Sequence, residues 1–396
     1  MSKHILLGIS GGIAAYKSCE LVRLLKKQGH SVSVVMSTAS TEFISPLTFQ
    51  ALSGNPVLTD THENGLGNGM AHINLTREAD ALVIAPATAN TIAKISHGIA
   101  DNLLTNLVAA RKCPLAVAPA MNVEMWNNPA NLRNIEQLRS DGITVFQPAY
   151  GEQACGEIGL GRMLEAADLA DLISDLWIPK ILLGKRILIT AGATFEAIDP
   201  VRGITNISSG QMGTALARAC RAAGAKVTLI YGQLQTTIPT GLLHTEQAVS
   251  AEEMFRAVHN HITNQDVFIS VAAVADYKVK NSNSQKMKKD GSGKVPVIEL
   301  TENPDILASI ASLPNPPFCV GFAAESERVL EYARVKRIRK NIPMLIANQI
   351  SQSMGKTTNQ ITIIDDENEI SFPETDKRQA ADNIVKHLAA RLNRSS

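Results

Sequence analysis

Ile5-Leu6-Leu7-Gly8-Ile9-Ser10-Gly11-Gly12-Ile13 is a short apolar run that breaks into a glycine turn and enters a helical pattern reaching Gln28. Ile187-Leu188-Ile189-Thr190-Ala191-Gly192 starts the same grammar in the second half. There a long polar stretch intervenes before a helix that opens at Ser209-Gly210. Both helices stop at a glycine, Gly29 and Gly224, and feed β-branched runs at Ser31–Met36 and Lys226–Ile230. Each copy reads as the first strand–helix–strand unit of a doubly wound parallel sheet, which sets a ligand phosphate at a helix N-terminus. Two such openings imply two sites on one polypeptide.

The bulk properties agree with two domains. A chain of 396 residues with 45% apolar content can bury two hydrophobic cores. Aromatic residues make up only 4%, too few for base-stacking platforms, and the net charge of +1 calls for neither nucleic acid nor a membrane. Up to Lys180 there are 13 basic and 16 acidic residues, against 25 and 21 beyond it, a mild positive bias suited to a phosphorylated substrate. The five cysteines are scattered without a C-x-x-C pair, so neither a zinc knuckle nor a disulfide framework is indicated. No charged leader precedes an apolar segment, and no apolar run approaches the ~18 residues of a membrane span. A soluble, cytoplasmic protein is expected.

Strands are expected at 81–85, 115–118 and 144–146, with helices at 90–100, 102–110, 131–140 and 165–176. After Ile178-Pro179-Lys180 the sequence restarts, which puts the domain boundary at 182/183. The second half continues with strands at 266–271, 317–321, 344–347 and 361–364 and helices near 305–313, 326–340 and 376–392. Asn281–Lys294 is polar, lacks periodicity and reads as an exposed flap. Gly355-Lys356-Thr357 lacks the partner glycine of a P-loop, because Ile350 stands there.

A nicotinamide pocket is the first expectation for a glycine turn of this kind, and the second strand argues against it. It ends Val35-Met36-Ser37-Thr38, with no acidic residue for a ribose diol. Small hydroxyl residues such as Ser37 suit a phosphate. Two later strands leave the sheet as small-Pro-small: Ala85-Pro86-Ala87-Thr88-Ala89-Asn90 and Ala118-Pro119-Ala120-Met121-Asn122. Small residues admit a flat ring to the backbone, while Thr88, Asn90 and Asn122 supply directional hydrogen bonds at the carboxyl ends of strands.

Pro119-Ala-Met-Asn-Val-Glu-Met-Trp126 resembles the PxMNxxMW signature of the flavin-dependent cysteine decarboxylases. The resemblance extends through ISGGIAAYK, the His72 segment, APATANTIAK and Gln153-Ala-Cys-Gly156. It implies a flavodoxin-like parallel sheet holding FMN through Ser10, Gly11, Gly12, Ile13, Ser37, Thr88, Asn90 and Met121. By the same resemblance His72 is the active-site histidine, Asn122 binds the substrate carboxylate, and Cys155 is the proton donor on a glycine-rich flap. A histidine or cysteine alone is more often structural than catalytic; the whole constellation changes that weighting. The chemistry is consistent, because loss of CO₂ from a cysteine amide leaves a carbanion that needs an electron sink. Oxidation at the thiol side to a thioaldehyde provides it, and an acid must then protonate carbon.

In the second half, Gly192-Ala-Thr-Phe-Glu-Ala-Ile-Asp-Pro-Val-Arg202 and Thr205-Asn206-Ile-Ser-Ser-Gly210 resemble the TAGxTxExIDPVRxxTNxSSG pattern of ligases that couple cysteine to 4′-phosphopantothenate. Ala193 and Phe195 stand where the commonest form has Pro and Arg. The resemblance implies a Rossmann-like α/β ligase domain. Its triphosphate would sit at Ser208, Ser209 and Gly210, with Ala273, Asp276, Asn303, Pro304, Asp305, Ile306, Phe322, Lys336 and Lys340 completing the nucleotide pocket. Arg202 would contact substrate, Lys286 would support formation of the acyl-nucleotide, and Asn206 would act in the second half-reaction. Lys336 and Lys340 are four apart and share a helix face. The fused form favours CTP, with Mg²⁺ held mainly by its phosphates.

Taken together, the chain resembles the bifunctional phosphopantothenoylcysteine decarboxylase/phosphopantothenate–cysteine ligases of coenzyme A synthesis. The implied partners are 4′-phosphopantothenate, cysteine and CTP, with a homo-oligomer, a dodecamer of trimers and dimers, as the assembly. A flavin prenyltransferase-like protein has no reason to carry the second half, and a non-catalytic flavoprotein regulator tends to lose the asparagine or cysteine present here.

Overall fold

The structure, a computed structural model, describes residues 2–60, 71–288, 296–325, 327–349 and 358–394, with only the backbone of Ala71 and His72. Residues 289–294 of the expected flap and Gly355-Lys356-Thr357 lie outside the described residues. Contacts divide the chain into two compact units, with the break after Trp177.

The first unit contains β1 (His4–Ile9), β2 (Ser31–Met36), β3 (Leu58–Thr59), β4 (Ala81–Ala87), β5 (Leu115–Pro119) and β6 (Thr144–Val145). They form one parallel sheet in the order β3-β2-β1-β4-β5-β6. Apart from the short β3, this is the flavodoxin-like order. The strands read as unbroken apolar runs because helices cover both faces. Ile5, Leu7 and Ile9 pack beneath Leu21, Val22, Leu25 and Leu169. Leu6, Leu82 and Ile84 pack on the other face against Ile92, Leu103, Leu104 and Leu107. Full burial of each such side chain contributes about 1.5–3 kcal/mol. The chain runs from β1 to its neighbour β2 on one side and later to β4 on the other. That reversal opens a crevice at the carboxyl ends of β1 and β4. The glycine-rich stretch around Cys155 folds as an antiparallel hairpin of β7 (Ala149–Glu152) and β8 (Ile158–Arg162).

The second unit contains β9 (Arg186–Ala191), β10 (Phe195–Ala197), β11 (Gly203–Thr205), β12 (Lys226–Tyr231), β13 (His244–Gln247), β14 (Val267–Ser270), β15 (Tyr277–Val279), β16 (Leu300–Glu302), β17 (Phe318–Glu325) and β18 (Met344–Gln349). β19 (Thr358–Asn359), β20 (Ile361–Ile364) and β21 (Glu369–Ser371) follow. The main sheet runs β13-β12-β9-β14-β17-β18-β20-β21. Its first six strands are parallel in the Rossmann order, with the switch point between β9 and β14. β20 and β21 are antiparallel additions, so the expected strand at 361–364 does not continue the parallel series. Ile187, Ile189, Val227 and Ile269 pack against Leu216 and Cys220 on one face and meet Ile384 and Leu388 of the C-terminal helix Lys377–Arg394. Leu188, Ile230 and Phe268 pack on the other face with Met254, Val258 and Ile310.

Candidate active sites

A cavity of about 930 Å³ opens at the β1/β4 switch point of the first unit. Gly11, Gly12, Ile13, Ser37, Thr88, Asn90, Met121, Asn122 and Cys155 all line it. Gly11 is required by close approach: a Cβ there would stand 2.5 Å from that of Ala39 and 2.9 Å from its backbone. Ser10 lies behind the wall, fully buried. Its Oγ donates to the Pro86 carbonyl at 2.7 Å and accepts from the Thr88 amide at 2.9 Å, which ties the end of β1 to the end of β4.

The Ser37 hydroxyl is buried and has no hydrogen-bond partner. A buried hydroxyl normally finds one, so its position on the cavity wall marks a place for a ligand acceptor. The missing acid of the second strand has a partial substitute that the sequence reading missed. Asp60, beyond β3, accepts from Thr38 N–H and Oγ1 and, through its other oxygen, from the Leu103 amide at 2.9 Å. It therefore holds two loops at the rim.

Asn122 caps the short helix Val123–Asn127, its Oδ1 accepting from the Glu124 amide at 2.8 Å. That bond leaves Nδ2 facing the hairpin, where it lies 3.3 Å from Cys155 Sγ and contacts a Glu157 carboxylate oxygen. The same carboxylate oxygen is 3.7 Å from the thiol. The hairpin is locked in place by backbone. Met121 N–H donates to the Gly161 carbonyl at 2.9 Å, and Gly161 has φ +138°, with room for no Cβ because Met121 O would lie 2.3 Å away. Glu157 carries no signal of its own in the sequence; it is legible only from its position two residues past Cys155.

Among the five cysteines only Cys155 is exposed. Burial pushes the thiols of Cys220 and Cys319 up to about 12 and raises those of Cys19 and Cys113, which marks them as packing residues. His72 is by its backbone the second residue of the helix Ala71–Glu78, and its side chain lies outside the described residues. An amide that already holds a carboxylate, beside an exposed thiol and over a deep cavity, can bind a substrate carboxylate and deliver a proton next to it.

The second unit gathers its residues around the β9/β14 switch point. The polar stretch after β9 forms the hairpin β10–β11, so the glycine turn is split rather than absent. Gly192 and Gly210 come together, the latter at φ +72° and capping the helix Gln211–Ala222. Gly213, not foreseen, abuts the end of β9: a Cβ would stand 2.4 Å from that of Ala191. Ser208 and Ser209 turn their hydroxyls back to the helix's first amides at 3.4 and 3.5 Å. Phe195 occupies the space over Gly203, where a Cβ would lie 2.3 Å from its ring.

Arg202 pairs with Asp199 and donates to the Met287 carbonyl at 2.9 Å. The guanidinium, together with amides of Val201, Met287 and Arg202, holds the Asp199 carboxyl well below the usual carboxylate range against the opposing effect of burial. This clamp ties the described part of the flap to the hairpin, and Lys286 sits exposed beside it. Asn206 Nδ2 donates to the Ala273 carbonyl at 3.1 Å. Asn303 donates from its amide N–H to Asp276 O and from Nδ2 to Ala275 O, both at 2.9 Å.

The helix Val329–Arg339 ends in a cationic corner. Lys336 Nζ donates to the Phe322 carbonyl at 2.9 Å, and Lys340 pairs with Asp305 at 2.8 Å. Asp305 also caps the helix Ile306–Ala311 through the Ala308 amide. Burial, and then the charge of Lys340, lowers the pKa of Lys336. Two cations four residues apart, one bonded to β17 and the other paired with the residue that caps the helix Ile306–Ala311, suit a polyphosphate.

The comparisons with known proteins divide the chain in the same manner. A family described as Flavoprotein matches residues 1–177, and one described as DNA/pantothenate metabolism flavoprotein C-terminal domain matches residues 182–392. A relative from Vibrio cholerae, a coenzyme A biosynthesis bifunctional protein CoaBC, is 47% identical over 390 residues, covering 98% of this chain and 97% of its own. The first unit is similar to a solved PPC decarboxylase mutant complexed with pantothenoylaminoethenethiol, at 36% identity, 45% of this chain, 99% of that chain and a TM-score of 0.41. It is also similar to the FMN binding protein AtHal3, at 37% identity, 44% of this chain, 96% of that chain and a TM-score of 0.40.

Proposed function

This chain belongs to the family of coenzyme A biosynthesis bifunctional proteins, and from that premise we propose how its two units divide two consecutive reactions. The protein is a flavoprotein enzyme with both ligase and decarboxylase activity: it couples cysteine to 4′-phosphopantothenate and decarboxylates the product to 4′-phosphopantetheine.

The first unit holds FMN in its cavity. The fit rests on Ser37, which lines the cavity with Gly11 and Gly12 and whose buried, unpartnered hydroxyl suits a phosphate oxygen. Ser10, Gly11, Gly12 and Ile13 form the phosphate end; Thr88, Asn90 and Met121 border the ring. When bound, the flavin supplies the electron sink that the decarboxylation requires. The single observation that carries the rest is Asn122 beside Cys155. Asn122 Nδ2 takes the substrate carboxylate in place of Glu157, and Cys155 gives its proton to carbon after CO₂ departs. The hairpin covers the substrate and keeps water from the carbanion. His72 remains the proposed active-site histidine.

The second unit uses CTP. The 4′-phosphopantothenate carboxylate attacks the α-phosphorus, a P–O bond forms and pyrophosphate leaves. The amine of cysteine then attacks the acyl carbon, and CMP leaves. Lys286, Lys336 and Lys340 counter the charge on the phosphates, with Mg²⁺ carried mainly by the nucleotide. The helix N-terminus at Ser208-Ser209-Gly210 receives the phosphates, Arg202 contacts 4′-phosphopantothenate, and Asn206 assists attack by the amine. Ala273, Asp276, Asn303, Pro304, Asp305, Ile306 and Phe322 wall the nucleotide.

Copies assemble into a homo-oligomer, a dodecamer of trimers and dimers, supported by exposed Ile13 and Tyr16 on the cavity wall and Tyr150 and Ile158 on the hairpin. No described helix is long and apolar enough to cross a membrane, in keeping with a cytoplasmic site of action. Incubation with 4′-phosphopantothenate, cysteine, CTP and Mg²⁺ should release both pyrophosphate and CO₂, with ATP a much poorer substitute. Absence of pyrophosphate would overturn the ligase assignment, and pyrophosphate without CO₂ the decarboxylase assignment.

A further inference from the structure

We propose that His244, Glu246 and His261 form a binding site for one divalent transition-metal ion of the zinc class. His244 and Glu246 lie two apart on β13 and so project from the same face of the strand. β13 is the outer strand of the main sheet, separated from the β9/β14 switch point by β12, so the cluster is no part of the nucleotide site. His261 is the last residue of the helix Ala251–His261, where the partial negative charge of the helix C-terminus favours a cation.

The three side chains converge. Oε2 of Glu246 lies 2.7 Å from Nε2 of His261 and 3.6 Å from Nε2 of His244. The imidazole centroids are 4.8 Å apart with planes inclined by 35°, and one donor atom from each of the three residues falls within 4.8 Å of the others. Two imidazoles and one carboxylate, with a fourth position open to water, are a donor set that Zn²⁺ accepts in tetrahedral geometry. An ordinary surface ion pair would need one histidine; a second imidazole aimed at the same oxygen is what ligation adds. Mg²⁺ prefers an all-oxygen shell, so the ion that accompanies the nucleotide does not compete here.

The consequence is mechanical. His244, Thr245 and Gln247 of β13 are exposed, whereas the helix is anchored through buried Ala251, Met254, Ala257 and Val258. An ion held between them fastens an edge strand to the core, and a ligand bound only by the folded state stabilises that state.

The test uses the full-length protein stripped with EDTA and titrated with ZnCl₂ by calorimetry and by thermal unfolding. The wild type should bind one equivalent more than a His244→Ala/His261→Ala variant, and Zn²⁺ should raise the unfolding midpoint of the wild type by several degrees more. Glu246→Gln should weaken that equivalent at least about tenfold, since even outer-shell partners are worth about 10–100-fold. Without metal, ligation by the variants should equal that of the wild type. Should the double variant lose its native circular dichroism, His244→Ala alone decides. Equal stoichiometry and affinity in wild type and folded variant would overturn the proposal.

Discussion

The two switch points of this molecule begin from the same strand-turn-helix and end as different surfaces. In the first unit the turn is tight and glycine, alanine and hydroxyl side chains stand beside it, although Lys17, Asp60, Lys94 and Arg162 also line the cavity; the uncharged Ser37 hydroxyl is buried there without a partner. In the second, a hairpin is spliced into the turn between Gly192 and Gly210, and the surroundings are ionic: Arg202 with Asp199, Lys340 with Asp305, and Lys336 on the Phe322 carbonyl. A cofactor that stays needs shape and satisfied hydrogen bonds. A triphosphate that must arrive, react and leave as pyrophosphate needs charge placed where charge develops. The same opening motif thus serves retention in one unit and turnover in the other.

That contrast breaks most sharply at Cys155. Cys155→Ser should cut decarboxylation by about 10²–10⁴-fold, the usual range for loss of a general acid, and leave ligation intact. An oxidised, unsaturated intermediate should then accumulate by mass spectrometry; normal yields of final product would remove the cysteine from its role. Lys340→Ala reverses the pattern. It removes a cation and leaves Asp305 without its partner, so ligation should fall by about 10²-fold, while supplied phosphopantothenoylcysteine is decarboxylated at the wild-type rate.

Two smaller effects sharpen the comparison. Lys336 has its pKa lowered by burial and by Lys340, so its ammonium is lost at lower pH than that of an ordinary lysine. The kcat/KM for CTP should therefore decline on the alkaline side below the usual lysine range, and Lys336→Arg should move that decline to higher pH. An identical profile in the variant would separate Lys336 from nucleotide binding. Ser37→Ala should weaken FMN binding by roughly five- to tenfold, the worth of one hydrogen bond. It should leave the flavin-free unfolding midpoint unchanged, because that hydroxyl has no protein partner to lose.

Much of this was legible in the residues. The continuous apolar runs at Ile5–Ile9 and Ile187–Ala191 fixed parallel strands, since only a strand covered on both faces can be apolar throughout. The small-Pro-small exits at 85–87 and 118–120 lead straight into cavity-lining residues, Thr88, Ala89 and Asn90 after one and Ala120, Met121 and Asn122 at the end of the other. What escaped has a common cause, namely that it depends on pairing across distance. The hairpin β10–β11 hides in a polar stretch whose side chains show no alternation, because it lies outside the core. The antiparallel pairing of β20 with β18 is a choice of partner and direction, which Ile361–Ile364 read alone does not show. Glu157, Asp60 and Gly213 matter through what they face, and local sequence gives no sign of that. The bond by which the Ser10 hydroxyl ties β1 to β4 is of the same kind, since it joins residues far apart in the chain.

The central claim is that one chain holds two chemically separable sites. Mixing Cys155→Ser protein with Lys340→Ala protein tests it directly, using 4′-phosphopantothenate, cysteine, CTP and Mg²⁺. Each variant alone should yield almost no 4′-phosphopantetheine, and the mixture should make it, because one supplies ligation and the other decarboxylation. Product from either variant alone, or none from the mixture while each retains its remaining activity, would contradict the account.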